Sequence, residues 1–290
     1  MNQFSLGALE GAWVRRELSA AFQTDALRLV YQPKIDLKSK KLAGVEALIR
    51  WLHPAHGPIP PGDFIPLAEE SDVIDDLTTW VADRAIAQAR AWADQGFDGS
   101  MALNVSARNL NKVQFPDMLA DICARHRLTT DRVVVEITET ASQQILKLLD
   151  TLTRLRLKGF RLALDDFGIG FSSMAQLQQL PFSELKVDRS FVGKIVEAED
   201  CLIITRAVIN LGHELGLKVV AEGVESAAAL EQLVQLGCDA AQGYHIGRPA
   251  PAAAIQAMLH GGAVMPATRS TACPRHFSFA AAQHDVVAGD

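Results

Sequence analysis

Short apolar runs alternate with amphipathic segments from about residue 12 to residue 258, and this limits the chain to a largely parallel α/β sheet, closed or open. The strand-like runs are ALRLVYQPKI (26–35), LAGVEALIRW (42–51), SMALNVS (100–106), RVVVEIT (132–138), FRLALDD (160–166), ELKVD (184–188), LKVVAEG (217–223) and AAQGYHI (240–246). Apolar residues spaced by three and four mark helices between them, most clearly over 77–93 and 201–216. Eight such strands with alternating helices predict a closed (β/α)8 barrel, with a doubly wound open sheet as the alternative. The first two runs are separated only by DLKSKK (36–41), too short for a crossover helix, so they are expected to form an antiparallel hairpin within an otherwise parallel barrel.

Punctuation along the chain adds local expectations. The segment HPAHGPIPPGDFIP (53–66) is rich in Pro and Gly and reads as a long ordered loop rather than helix interior. Gly216 and Gly237 stand where helix C-terminal caps belong, and Thr140 or Ser142 where the next helix begins. One domain over 12–258 is expected, followed by a flexible C-terminal tail over 259–290.

Composition removes several function classes. A net charge of -6 without a Lys/Arg run argues against a clamp on polymeric nucleic acid. The four cysteines are far apart and show no CxxC pair, which argues against structural zinc and fits a reduced compartment. No secretory leader or apolar run of roughly 20 residues is visible, so a cytoplasmic domain without membrane contact is expected, whole or as part of a larger sensory protein.

The stretch LALDDFGIGF (162–171) places Asp165 and Asp166 where a strand emerges. A turn is the ordinary explanation of such an Asp/Gly cluster; a metal or phosphate site is the other. The remaining strands supply candidate partners near the same barrel rim: Glu46, Asn104, Glu136, Lys186, Glu222 and Gln242. Each alone has a structural explanation, but Glu46, Glu136, Asp165, Asp166 and Glu222 together need protons, basic partners or cations, and Lys186 and Arg50 are too few. Oxygen donors without His or Cys favour Mg²⁺ or Mn²⁺. Adjacent aspartates suit a pair of ions, one carboxylate bridging both, and such sites favour in-line displacement at phosphorus.

These residues resemble the EAL domain, the bacterial phosphodiesterases that hydrolyse cyclic di-GMP. The resemblance is carried in order by YQP (31–33), EALIRW (46–51), FIPLAEE (64–70), LNVS (103–106) and VEITET (135–140). It continues through DDFGIGFSS (165–173), LKVDRSFV (185–192), AEGVES (221–226) and QGYHIGRP (242–249). It implies a modified (β/α)8 barrel with an antiparallel first strand, a homodimer, and two-ion hydrolysis of cyclic di-GMP to linear pGpG, with Ca²⁺ inhibitory. It further implies that Glu46, Asn104, Glu136 and Asp165 bind the first ion and that Asp166 serves the second. Lys186 is implied beside the attacking water and phosphate, and Glu222 as general base or second-ion ligand. Arg50, Gln32 and Gln242 are implied to face the substrate, and Glu139 to hold the DDFG loop. The chain departs from the family pattern at Ile169 and Phe171, which replace threonine and tyrosine, and at Asp72 and Thr78, where glycine is frequent. Asp72 is expected to tolerate a left-handed backbone, whereas Thr78 is expected to disturb local packing. A non-catalytic cyclic di-GMP receptor and another metal-dependent barrel enzyme are the competing functions.

Overall fold

The structure is a computed structural model that describes residues 11–138, 145–168 and 174–261. Its strands are β1 (Leu27–Asp36), β2 (Leu42–His53), β3 (Gly57–Ile59), β4 (Ser100–Asn104), β5 (Val133–Thr138), β6 (Arg161–Phe167), β7 (Glu184–Val187), β8 (Lys218–Ala221) and β9 (Ala240–Gln242). Hydrogen bonding runs β1-β9-β8-β7-β6-β5-β4-β2 and returns from β2 to β1, which closes an eight-stranded barrel and rules out the open sheet. β1 is antiparallel to both neighbours, with Gln32 opposite Glu46 and Lys34 opposite Gln242; the other barrel pairings are parallel. The hairpin expected from the short 36–41 junction is therefore present.

The Pro-rich segment corrects the sequence reading. It contains β3, antiparallel to β2, and then a helix, Pro61–Glu69, rather than loop throughout. Pro61 stands in the first helical turn, where its missing N–H has no intrahelical partner to lose. Pro66 lies inside the helix at a cost of about 3 kcal/mol. Phe64 and Ile65 are buried beside it, each worth roughly 1.5–3 kcal/mol, enough to offset that cost.

Several strands end earlier than their apolar runs because the following residues cap short helices. Ser106 Oγ accepts the Arg108 N–H at 3.2 Å and Asp188 Oδ1 accepts the Ser190 N–H at 2.7 Å. Gly216 and Gly237 follow the helices Glu199–Glu214 and Ala227–Gln235, one residue beyond their caps. Asp72 departs from expectation: its backbone is right-handed (φ -69°), so a left-handed position is not what it fills, and its carboxylate pairs with Arg108 at 2.6 Å. Thr78 is accommodated as well, its hydroxyl 2.8 Å from the Ile74 carbonyl and 2.9 Å from Asn109 Oδ1.

Strand alternation divides the barrel into an outside and a filled inside. Met101, Leu103, Val133, Val135, Leu162 and Leu185 belong to the main core shared with the helices. Ala102, Val134 and Ala163 form a separate cluster at the barrel's waist. Residues of the same parity toward the N-terminal ends form a polar floor, where Lys34 Nζ meets Glu184 Oε2 at 2.7 Å and Arg161 lies 3.6 Å from Glu184. Burial opposes the charge on Glu184, but Lys34 and Arg161 outweigh it and hold the carboxyl below its usual range. A second apolar cluster joins the helix Gly11–Ala21, through Val14 and Leu18, to Trp51, Phe64, Ile74 and Leu77. Cys123, Cys201 and Cys238 are buried, and among the described residues no helix is long and apolar enough to cross a membrane.

Candidate active site

At the C-terminal ends of the parallel strands the barrel opens into a cavity of about 510 Å³. Gln32, Glu46, Arg50, Asn104, Asp165, Asp166, Glu222 and Gln242 all line it, so the rim expected from sequence is assembled in space. Lys186 and Glu136 lie behind that lining, with 0% and 1% exposure. Their depth follows from strand parity: each stands two residues above a floor or waist residue of the same strand, Glu184 and Val134.

Lys186 Nζ lies 2.6 Å from Glu222 Oε1, 3.0 Å from Glu136 Oε2 and 3.1 Å from Asp165 Oδ2. Burial alone would discharge this ammonium, but the three carboxylates hold its pKa well above the ordinary lysine range. Glu46 is secured differently, accepting from Asn104 Nδ2 at 2.7 Å and from Gln242 Nε2 at 2.6 Å. Gln242 Nε2 also reaches Gln32 Oε1 at 3.2 Å, and Gln32 donates to the Gly247 carbonyl at 3.3 Å. Burial works against ionised Glu46, yet Lys186 and these two amides prevail and lower its pKa.

The other carboxyls are not so favoured. Burial, reinforced by neighbouring carboxylates and only partly countered by Lys186, pushes Glu136 up to about 8 and raises Asp165. Glu222 is raised well above the usual range by burial and by Asp165. Neither oxygen of Glu136 has a hydrogen-bond partner, because the Lys186 contact is misaligned for one. Five carboxylates gather around one buried ammonium that contacts three of them, a concentration of negative charge that divalent cations would relieve.

Asp165, Asp166 and Glu222 each place a carboxylate oxygen within 4.8 Å of the other two. Asp166 reaches this position through a left-handed backbone, φ 57°, with its N–H bonded to Asp165 Oδ1 at 2.9 Å. An all-oxygen donor set of this kind fits a hard divalent cation. Glu46 and Glu136 are not part of that triad, and Asn104 is joined to Glu46. Asn104 turns its Nδ2 toward Glu46, and a ligand role would require the amide oxygen instead. Glu139, Thr140, Ser142, Ile169, Phe171 and the segment 262–290 lie outside the described residues.

The sequence reading missed Arg189, Glu225, Tyr244 and Arg248, all of which line the cavity. Arg248 stacks over the Tyr244 ring at 4.2 Å. Taking 240–246 as a strand hid Tyr244, whereas β9 stops at Gln242 and Tyr244 belongs to the rim loop. The positions just after β7, β8 and β9 were the available signal. An apolar wall of Ile65, Ile74, Leu77 and Val81 was also missed, since Ile65 was read within a loop and Leu77 and Val81 as ordinary helix core.

A closed α/β barrel whose mouth gathers five carboxylates around a buried lysine defines a class of acidic, cation-suited sites at strand ends. The chain belongs to the EAL domain family, whose model matches residues 15–249. It is 40% identical over 260 residues to the bifunctional diguanylate cyclase/cyclic di-GMP phosphodiesterase MucR of Pseudomonas aeruginosa, covering 89% of this chain and 38% of MucR. It is 40% identical over 254 residues to the signaling protein YkoW of Bacillus subtilis, covering 86% of this chain and 31% of YkoW. The chain thus spans well under half the length of these relatives. A solved structure of the MucR phosphodiesterase in complex with c-di-GMP superimposes with a TM-score of 0.79 at 40% identity, covering 83% of this chain and 99% of that one.

Proposed function

We propose that the chain is a metal-dependent phosphodiesterase that hydrolyses cyclic di-GMP to linear pGpG. The observation that carries the reading is the convergence of Asp165, Asp166 and Glu222 within 4.8 Å at the mouth of a cavity large enough for a small ligand. The relatives' names and the c-di-GMP complex support the substrate.

Asp165, Asp166 and Glu222, with Glu46, Asn104 and Glu136 beside them, would hold two Mg²⁺ or Mn²⁺ ions. Bound there, the ions would supply activation of water and stabilisation of charge on the phosphate oxygens. The protein's own groups divide the remaining work. Arg50, Arg189 and Arg248 bring positive charge to an otherwise acidic cavity, which lets it receive two phosphates. Lys186 keeps Asp165, Glu136 and Glu222 together by partial neutralisation at 2.6–3.1 Å. Glu222, within 4.8 Å of both aspartates, would serve either as a ligand of the second ion or as the base that takes the proton of the attacking water. Water oxygen joins phosphorus, one P–O ester bond breaks, and the leaving ribose oxygen takes up a proton, opening the ring to pGpG.

Incubating the protein with cyclic di-GMP and Mg²⁺ or Mn²⁺, then separating the nucleotides by chromatography, tests the proposal. Metal-dependent appearance of pGpG is expected, with Ca²⁺ suppressing it. Tight binding of cyclic di-GMP without turnover under any of these ions would replace the enzyme by a receptor. A cytoplasmic homodimer belongs to the same reading, and sedimentation at micromolar concentration checks the dimer.

A further inference from the structure

We propose that the four-residue helix Arg189–Val192, through Phe191, is the spacer that sets the interval between the Asp165–Asp166 pair and Glu222. The proposal rests on the phosphodiesterase reading for its catalytic meaning, but its geometry stands on the two loops that carry these carboxylates. β7 lies between β6 and β8: Phe167 pairs with Val187, and the Glu222 N–H donates to the Val187 carbonyl at 3.1 Å. The helix follows directly from β7. Asp188 caps it with a 2.7 Å bond to the Ser190 N–H, and Val192 anchors it in the core with 0% exposure.

Both flanking loops close onto this helix through a glycine. Gly168, two residues beyond Asp166, has φ 107°, and a Cβ there would stand 2.9 Å from Phe191 Cε2. Gly223, next to Glu222, has φ 69°, and a Cβ there would stand 2.4 Å from Arg189 Cβ and 3.0 Å from its Cα. Left-handed geometry and the absence of room thus coincide on both sides, so each backbone rests against the helix at van der Waals distance. The helix width between these contacts is what separates the two acidic loops. On the Asp166 side the contact is a side chain, the Phe191 ring. Phe191 acts on the carboxylates through the Gly168 backbone and is a positioning residue.

The test titrates Mn²⁺ alone into the metal-free full chain by calorimetry and measures kcat and KM for cyclic di-GMP, for wild type, Phe191→Leu and Phe191→Tyr. Leucine preserves apolar bulk but lacks the ring carbon nearest Gly168, whereas tyrosine keeps the ring. Phe191→Leu is expected to bind Mn²⁺ about tenfold more weakly and to lose a comparable factor in kcat at unchanged KM, as losses of residues supporting metal ligands do. Its melting temperature should stay close to wild type, and Phe191→Tyr should behave as wild type throughout. A folded Phe191→Leu with Mn²⁺ affinity and kcat like wild type overturns the spacer, as does a Phe191→Tyr impaired as much as Phe191→Leu. If wild type binds Mn²⁺ but forms no pGpG, the phosphodiesterase reading fails while the Mn²⁺ titrations still decide the spacer. If wild type binds no Mn²⁺, the spacer is overturned too.

Discussion

Glu136 and Asp165 show how a single carboxyl can matter through its proton as much as through its position. Burial, with Glu46 and Asp165 nearby, pushes Glu136 up to about 8 despite Lys186, so the metal-free cluster holds a proton to higher pH than an ordinary carboxylate does. Cation binding must expel it. Calorimetric Mn²⁺ titration at pH 7 in buffers of different ionisation enthalpy is therefore expected to show proton release, smaller in Glu136→Gln. Buffer-independent heats would contradict this assignment. Asp165 offers a second test, because asparagine keeps Oδ1 for the Asp166 N–H at that 2.9 Å bond while losing the charge. Asp165→Asn should fold with an unchanged near-UV spectrum and lose about 10²-fold or more in kcat. Retained turnover at saturating Mg²⁺ would remove Asp165 from the ion site.

At the scale of elements, β1 does two jobs that its apolar pattern does not advertise. It closes the barrel by pairing with β2 and β9, and it delivers Lys34 to Glu184 at the floor. Glu184 has a folded pKa below the ordinary carboxyl value, burial opposing and Lys34 with Arg161 prevailing. Its stabilisation is thus present above the unfolded pKa of about 4.3 and lost as pH falls through the folded value. Glu184→Gln strands a buried lysine and should cost about 3–5 kcal/mol at pH 7. Urea unfolding of both proteins between pH 7 and pH 3 should show this gap narrow only on the acid side. A constant gap would mean that the pair is not ionised in the folded barrel. The helix Pro61–Glu69 makes the complementary point: local proline chemistry argued against a helix, and burial of Phe64 and Ile65 decided for it.

Across the whole molecule, the helix Gly11–Ala21 and the cavity wall share one apolar cluster. Leu18 packs in the group that contains Ile65, Ile74 and Leu77, and these three also face the cavity. Leu18→Ala should cost about 2–5 kcal/mol, since the residue is fully buried. Because the same cluster backs the apolar wall, KM for cyclic di-GMP should rise with little change in kcat. Thermal unfolding and steady-state kinetics check both parts. Lower stability with an unchanged KM would make the cluster a structural support only.

The amino-acid sequence determined the strand and helix alternation, the antiparallel start and the identity of the acidic rim, because these depend on local periodicity, a six-residue junction and residue type at strand ends. The 36–41 hairpin and the cavity positions of Glu46, Asp165 and Glu222 were legible for that reason. Tertiary structure alone decided closure, depth and proximity. Whether Lys186 faces solvent or three carboxylates depends on the seven other barrel strands, none adjacent in sequence to all the rest. Arg189, Tyr244 and the wall of Ile65, Ile74 and Leu77 reach the cavity only after the strands end and the helices pack, which strand periodicity does not encode. The left-handed turn at Asp166 suits an Asp/Gly stretch locally, but its contact with Phe191 through Gly168 joins segments more than twenty residues apart.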